Sequence, residues 1–237
     1  MPLFRLSPNT FLFPDPELSL PDGLLAIGGD LSPLRLLEAY QHGIFPWFNP
    51  EDPILWWSPD PRMVLFPERL KIHRSMRPYF NKKKYRLSMD TAFKQVMRSC
   101  AEADRKGQRG TWISEQMIES YTSLHEMGYA HSVEVWQKDK LVGGLYGLAL
   151  GKVFFGESMF SNMANASKFG FIALTLQLKE QNYRLIDCQQ ETPHLRSLGA
   201  ENISRKQFLQ ILRQNREEPT AKGRWQVENY QLPWKSR

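Results

Sequence analysis

Two short segments contain polar residues that could hold an amine and a carbonyl group. Glu157 and Ser158 lie at the end of a predicted strand, beside Gly156, which allows a ligand to approach closely. Asp187 and Gln189 are two residues apart on another predicted strand, so they should project from the same face. An acid beside an amide could orient an amine and donate to a carbonyl oxygen. The structural alternatives are a surface carboxylate for Glu157 and a loop-capping acid for Asp187.

The sequence contains no clear pattern for a catalytic nucleophile or for a set of metal ligands. Cys188 should point away from Asp187 on a strand, which favours a buried and inert thiol. Ser158 lacks the second glycine of the G-x-S-x-G motif. The two cysteines give no disulfide framework, and the five histidines show no H-x-H or H-x-x-x-H spacing. We therefore expect no metal centre.

An aromatic cluster lies in a segment that prolines keep from forming a continuous helix. Rigid rings on a loop can stack on a flat ligand such as a nucleobase, although core packing is the alternative for each ring. Trp112 is a further candidate, because it lies between a basic loop at 105–110 and a predicted helix start. The cluster consists of Phe45, Trp47, Phe48, Trp56 and Trp57.

Charge is distributed unevenly along the 237 residues. Residues 1–60 contain two basic and eight acidic residues, whereas residues 61–110 contain fourteen basic and four acidic residues, a net charge of +10. This surplus indicates a polyanionic partner, with a solvated surface as the alternative. RNA is favoured over a membrane, because we find no amphipathic basic helix and no apolar run of transmembrane length. Without a signal-peptide pattern, a cytoplasmic location is expected.

The elements that must position these residues fall into two parts. The charge switch and the prolines predict a small N-terminal domain at residues 1–61, with a helix at 33–42. Residues 62–237 predict an α+β domain with a central, mostly antiparallel sheet flanked by helices, in the element order of the GNAT acyltransferase fold. Its predicted helices begin near residue 90 and span 114–128, 165–181 and 205–213, with strands at 132–136, 141–150, 153–155 and 184–188.

Ten stretches of the chain match, in order, the bacterial leucyl/phenylalanyl-tRNA–protein transferase family, which the chain closely resembles. They include both polar segments described above. So many long matches are specific, and they cover most of the chain as far as about residue 200. The stretches are 28–33, 39–48, 55–62, 110–113, 131–136, 141–147, 155–161, 165–168, 185–189 and 197–200.

The resemblance implies an aminoacyltransferase that moves Leu, Phe or Met from aminoacyl-tRNA to the N-terminal Arg or Lys of a protein, which promotes degradation of that protein. No metal, ATP or coenzyme is implied, so no cofactor is expected. By position, Glu157, Asp187 and Gln189 would serve catalysis and the acceptor, with the two acids forming a negatively charged mouth. Substrate binding is assigned to nine residues, of which the two tryptophans would hold the terminal adenosine: Trp47, Trp112, Tyr40, Leu145, Phe154, Met159, Phe171, Leu174 and Ile186.

Two other classes of protein stay open at this point. A coenzyme-A-dependent N-acetyltransferase of the same fold needs a Q/R-x-x-G-x-G/A loop that opens a helix. The nearest candidate, from Arg196 to Glu201, fails at its last position. A non-enzymatic RNA-binding module would use the basic segment and the tryptophans, but it would leave Glu157, Asp187 and Gln189 without a role.

Overall fold

The computed structural model describes residues 3–82, 84–103, 111–227 and 232. The elements of its N-terminal part are β1 (Phe4–Leu6), a 3₁₀ turn at Pro16–Leu18, β2 (Leu24–Gly28), α1 (Pro33–Gln41), β3 (Phe45–Pro46) and β4 (Leu55–Trp57). The strands form a sheet in the order β1-β2-β4-β3. Helix α1 confirms the predicted helix within one residue, because Pro33 occupies its first turn.

The rest of the described chain forms a seven-stranded sheet flanked by helices. Its elements are β5 (Arg62–Leu65), 3₁₀ turns at Pro67–Arg69 and Arg74–Met76, α2 (Arg77–Asn81), β6 (Arg86–Met89), α3 (Phe93–Glu102), α4 (Glu115–Glu126), β7 (Ala130–Gln137), β8 (Lys140–Leu150), β9 (Val153–Ser161), α5 (Ala166–Glu180), β10 (Leu185–Gln189), α6 (Pro193–Ser197), β11 (Glu201–Ile203) and α7 (Arg205–Asn215).

The strand order of the large sheet is β11-β5-β10-β9-β8-β7-β6, and its neighbouring strands are antiparallel except for the parallel pair β9 and β10. The predicted α+β class is therefore confirmed, including the meander that β7, β8 and β9 form. Strands β5, β6 and β11 are not predicted by the sequence, because runs of three or four residues carry little periodicity.

Two expectations about the helices are wrong. Helix α3 begins at Phe93 rather than near Asp90, because Asp90 has a φ of 54° and its carboxylate accepts a hydrogen bond from the backbone of Ser132. Helix α4 ends at Glu126 rather than at residue 128, and Met127 beyond this end is 43% exposed. By contrast, the predicted start of α4 near residue 114 is confirmed, since Ser114 is its N-cap and the Ser114 hydroxyl accepts from the third backbone N–H of that helix.

Two apolar cores lie on the two faces of the large sheet. The neighbouring residues Phe154 and Phe155 of β9 belong to different cores, as strand geometry requires. Helix α5 covers the Phe154 face, whereas α3, α4 and the N-terminal part cover the Phe155 face. The predicted domain boundary at residue 61 lies between the two sheets, but the core on the Phe155 face continues across it.

Part of the basic segment lies outside the described residues, namely Lys83 and the predicted loop at 105–110. Residues 216–227 form turns and irregular chain, in line with their polar composition. Within the described ranges, no helix combines the length and the apolar character that crossing a membrane requires.

Candidate active site

A cavity of about 470 Å³ opens where strands β9 and β10 part. These strands pair only as far as Phe155 and Asp187, and the residues that follow in both strands line the cavity. The floor is apolar because cross-strand pairs present their side chains together on the α5 face. The pairs are Leu145 with Met159 and Phe154 with Ile186, and Phe171 of α5 completes this apolar part.

A β-bulge in β9 positions the acid that the sequence predicts here. Tyr146 pairs with Ser158, and the next residue of β8, Gly147, pairs with Gly156, so Glu157 is the extra residue in β9. Bulges re-aim side chains and often lie beside active sites. The Glu157 side chain lines the cavity, yet the residue is only 9% exposed. The surface-carboxylate alternative for Glu157 is therefore wrong.

A second bulge lies at the end of β10. Asp187 and Gln189 pair with consecutive residues of β5, so Cys188 is the extra residue. Gln189 has a φ of 61°, and the regular strand geometry expected from Asp187 to Gln189 is therefore wrong. All three residues line the cavity. Cys188 packs against the core that contains Phe154, whereas Asp187 bonds Arg62, which lies over Phe45 and Phe208 of the other core, so the two side chains point to opposite faces as expected. Burial raises the pKa of the Cys188 thiol, which agrees with the expectation of an inert group.

Asp187 is fully buried and forms a bidentate ion pair with Arg62. Arg62 Nε donates to Asp187 Oδ1 at 2.8 Å, and Arg62 Nη2 donates to Oδ2 at 2.7 Å. The guanidinium also lies over the rings of Phe45 and Phe208. Asp187 Oδ1 accepts a further bond from the backbone N–H of Gln189 at 2.9 Å. Because Arg62 neutralises Asp187, this carboxylate does not add a free negative charge to the mouth.

Glu157 has uncharged hydrogen-bond donors instead. Gln189 Nε2 donates to Glu157 Oε1 at 2.8 Å, and the Tyr121 hydroxyl donates to Oε2 at 3.1 Å. The hydroxyls of Tyr40 and Tyr121 are hydrogen-bonded to each other behind the carboxylate. Burial raises the pKa of Glu157 to about 7; the nearby Asp187 carboxylate also raises it, whereas the hydroxyl and amide donors oppose this shift. A carboxyl group with this pKa can gain or lose a proton near neutral pH.

The aromatic cluster divides between the cavity and the core. Trp47 and Trp112 are half-buried and line the cavity, together with the buried Phe45. Trp56 is fully buried, and its indole N–H donates to the Gly28 carbonyl at 2.8 Å. The indole N–H of Trp57 donates to the backbone of Trp47, and Phe48 lies in the core. Core packing is therefore the outcome for Trp56 and Phe48.

Two of the nine residues assigned to substrate binding do not line the cavity. Leu174 is fully buried in the core beneath α5, and Tyr40 lies behind Glu157. The other seven line the cavity: Trp47, Trp112, Leu145, Phe154, Met159, Phe171 and Ile186.

Sequence reasoning misses three residues at the site. Arg62 is one of the fourteen basic residues of segment 61–110, and its place in the matched stretch 55–62 is the signal that could have identified it. Tyr121 has the helical spacing of a core residue, which hides its contact with Glu157. His194 lines the cavity with a buried Nε2 that makes no hydrogen bond within the part of the chain that the structure describes. Burial, with a smaller contribution from Lys168, lowers the pKa of His194.

Much of the described basic segment lies on the surface. Among the basic residues of segment 61–110 that the structure describes, Arg62 is buried and the others are exposed. The exposed members include Arg69, Lys71, Arg74, Arg77, Lys82, Lys84, Arg86, Lys94 and Arg98.

The parted strands, the apolar recess and the carboxylate–amide pair beside it are the features of an α+β acyltransferase. A family model described as leucyl/phenylalanyl-tRNA protein transferase matches residues 64–213, and a model of the N-terminal domain of that family matches residues 29–60. The chain belongs to this family and is therefore an enzyme, a transferase. Membership disfavours both the coenzyme-A-dependent acetyltransferase and the non-enzymatic RNA-binding module.

Relatives named leucyl/phenylalanyl-tRNA–protein transferase are similar over nearly their whole length. The protein from Cellvibrio japonicus is 58% identical over 231 residues, which cover 97% of this chain and 94% of that protein. The protein from Anaeromyxobacter dehalogenans is 53% identical over 228 residues, which cover 96% and 97%.

The similarity of this chain to solved structures is much weaker than its similarity to these relatives. The L-PGS structure from Bacillus licheniformis has a TM-score of 0.39 and 12% identity, over 69% of this chain and 51% of that chain. A GCN5-related N-acetyltransferase from Kribbella flavida has a TM-score of 0.32 and 12% identity, over 71% and 60%. Likenesses of this size carry no argument about function.

Proposed function

We propose that this enzyme transfers Leu, Phe or Met from aminoacyl-tRNA to the α-amino group of a protein that begins with Arg or Lys. The amine nitrogen attacks the ester carbonyl, a C–N bond forms, and the ester C–O bond breaks. The ribose hydroxyl of the tRNA leaves with the proton that the amine gives up. The ester is already activated, so amide formation needs no further energy source.

The observation that carries this proposal is an apolar recess directly beside the Glu157–Gln189 pair in one cavity. An aminoacyl ester has an apolar side chain next to a reactive carbonyl, which is the same arrangement of chemistry. The recess suits unbranched or γ-branched side chains such as those of Met, Leu and Phe. Rejection of Ile and Val must come from steric contact at Cβ, since one methylene is worth only about 1–3 kcal/mol.

Glu157 is the group that we assign to proton transfer. An N-terminal amine has a pKa of about 7.7–8.0, so a useful fraction is neutral at cellular pH. As the neutral amine attacks, its nitrogen becomes positive, and the Glu157 carboxylate accepts the proton directly or through water. A pKa of about 7 suits this role, because a general base works best near the operating pH. The ionised carboxylate would also attract the cationic side chain of an acceptor Arg or Lys.

Asp187 acts by positioning in this proposal. Its oxygens accept hydrogen bonds from Arg62 and from the backbone N–H of Gln189, and these bonds hold the bulge at Cys188 and the following Gln189 in place. Gln189 in turn holds Glu157, and its amide is available near the reacting carbonyl. Donors aligned with a developing oxyanion contribute about 2.7–4 kcal/mol.

The tRNA end would lie at the other side of the cavity. Trp47 and Trp112 present partly exposed indole rings there, which suits stacking on the terminal adenosine. The exposed basic side chains would contact phosphates of the acceptor stem without reading sequence. Charged tRNA is a cytoplasmic substrate, so a cytoplasmic location is part of this proposal.

Transfer of radiolabelled leucine from Leu-tRNA to a peptide that begins with Arg tests the proposal. We expect acid-stable label in the peptide with the wild-type chain, and none when the peptide is N-acetylated. A matched peptide that begins with Asp should accept at least about tenfold less, because the Glu157 carboxylate repels it.

Acetyl-CoA added in place of Leu-tRNA separates the proposal from the acetyltransferase alternative. Acetylation of the peptide without transfer of leucine would overturn the proposed donor. Binding of the tRNA without any transfer would overturn the proposed reaction.

A further inference from the structure

The chain after α7 returns to the large sheet as a segment that we call the C-terminal strap, residues 221–227. It lies outside the residues matched by the family model, 64–213. Gly223 N donates to the Gly128 carbonyl, and Gln177 Nε2 donates to the Gln226 carbonyl at 3.0 Å. A Cβ on Gly128 would lie 2.3 Å from Gly223 N, so the two backbones are in direct contact. The strap is therefore a packed part of the fold.

Trp225 anchors this strap in the core. Its ring stacks on His131, with ring centroids 3.8 Å apart and an interplanar angle of 11°. Its backbone N–H donates to Asp90 Oδ2 at 2.7 Å, and the same oxygen lies 2.8 Å from His131 Nδ1. Asp90 Oδ1 accepts from the backbone of Ser132. These contacts fix the indole in one position at 9% exposure.

The fixed indole lies behind one wall of the acyl pocket. Phe154 lines the cavity, and its ring centroid is 6.0 Å from that of Trp225. The backbone of Gly147 lies against another side of the Phe154 ring, since a Cβ added to Gly147 would lie only 2.7 Å from two carbons of that ring. The Phe154 ring is therefore confined by the Gly147 backbone and by the indole, and neither Trp225 nor Gly147 is among the residues that line the cavity.

The geometry points to Trp225 as a specificity-determining residue, which positions Phe154 and so sets the depth of the acyl pocket. This inference rests on the proposed transfer of Leu and Phe. Removal of a buried indole leaves a hole that neighbouring side chains partly fill. The Phe154 ring is the neighbour that also borders the cavity, so its movement into the hole deepens the recess. A deeper recess favours the longer phenylalanyl side chain over leucyl.

The test is the ratio of kcat/KM for Phe-tRNA to kcat/KM for Leu-tRNA, measured on one preparation of the full-length Trp225→Ala chain. The ratio does not depend on the folded fraction, so loss of stability alone leaves it unchanged. We expect a rise of about tenfold, which is the lower end of the effect of one methylene in an apolar pocket. Trp225→Phe, which keeps an aromatic ring, should restore at least half of the wild-type preference on a logarithmic scale.

Trp136→Ala is the matched control. Trp136 has a half-buried indole on β7 that donates a hydrogen bond to Ser88 and does not line the cavity. The Phe-to-Leu ratio of kcat/KM in Trp136→Ala should therefore stay within about twofold of the wild-type ratio. An unchanged ratio in Trp225→Ala, or in Trp225→Leu where the alanine variant does not fold, would overturn the role of Trp225. Failure of the wild-type chain to transfer either amino acid would instead overturn the proposed function.

Discussion

Asp187 and Glu157 are two buried carboxylates at the same cavity, and their partners differ in charge. Asp187 faces the guanidinium of Arg62 in a bidentate pair, whereas Glu157 faces the amide of Gln189 and the hydroxyl of Tyr121. An adjacent cation stabilises the ionised form of a buried carboxylate more strongly than neutral hydrogen-bond donors do. The same chemical group is therefore used for positioning at Asp187 and for proton exchange at Glu157.

The largest effect should follow from Asp187→Ala. This change leaves the buried Arg62 guanidinium without its partner, which costs about 3–5 kcal/mol of stability. Where the variant is folded, we expect near-normal tRNA affinity and a sharply lower turnover, because Gln189 loses its anchor. Urea unfolding and single-turnover transfer measure the two effects.

Two companion variants check this explanation. Arg62→Met combined with Asp187→Leu should recover most of the lost stability, since no unpaired charge is left buried. Glu201→Ala removes the partner of the exposed Arg69 and should cost no more than about 1 kcal/mol. Equal costs for Asp187→Ala and Glu201→Ala would contradict the contrast between a buried and an exposed pair.

The next effect is on the pH dependence of stability through Glu157. Its folded pKa of about 7 lies above the ordinary value of 4.5, so the folded state binds more protons between these pH values. The contribution of Glu157 to stability should therefore fall as pH rises from about 4.5 to about 7, by about 3 kcal/mol in total. Denaturant unfolding of the wild type and of Glu157→Gln at a series of pH values isolates this contribution as the difference between the two curves. A difference that stays constant through this window would contradict the account of Glu157.

Trp47→Ala should weaken the binding of aminoacyl-tRNA and leave the transfer step unchanged. This result would distinguish the role of Trp47 from the roles of Glu157 and Asp187. Stacking of a base on an aromatic ring contributes about 1–3 kcal/mol, so the Kd for aminoacyl-tRNA should rise about 5- to 150-fold. Turnover at saturating tRNA should stay near the wild-type value. Trp136→Ala is the control for loss of an indole. A change in turnover with unaltered Kd would place Trp47 with the reacting groups instead.

The smallest effect should come from Tyr121→Phe, which removes one neutral donor to Glu157. Because the hydroxyl favours the ionised carboxylate, its loss should raise the pKa of Glu157 by less than about one unit. The pH at which activity rises should shift upward by the same amount. Tyr85→Phe, which removes a hydroxyl that donates to the Ala164 carbonyl, should cause no such shift. A downward shift in Tyr121→Phe would contradict the assigned bond.

The difference between these carboxylates was not predictable from sequence. Periodicity and caps predicted most longer helices and the β7–β9 meander, since many residues share those signals. Glu157 and Cys188 are single extra residues that create the two bulges, and no periodic pattern in the sequence predicts them. The pairing of Arg62 with Asp187 joins residues 125 positions apart. Local sequence therefore identified the polar residues of the site, while long-range contacts decide which carboxylate is compensated.

The slope of log kcat/KM for the acceptor against pH tests the central claim about Glu157 most directly. Below pH 6.5, ionisation of both Glu157 and the acceptor amine should give the wild-type chain a slope near 2, as expected for two groups with pKa values of about 7 and 7.7–8.0. Glu157→Gln should reduce the slope to about 1 and lower the rate by about 10²- to 10⁴-fold. A Glu157→Gln variant with the wild-type slope and rate would contradict proton transfer at this carboxylate.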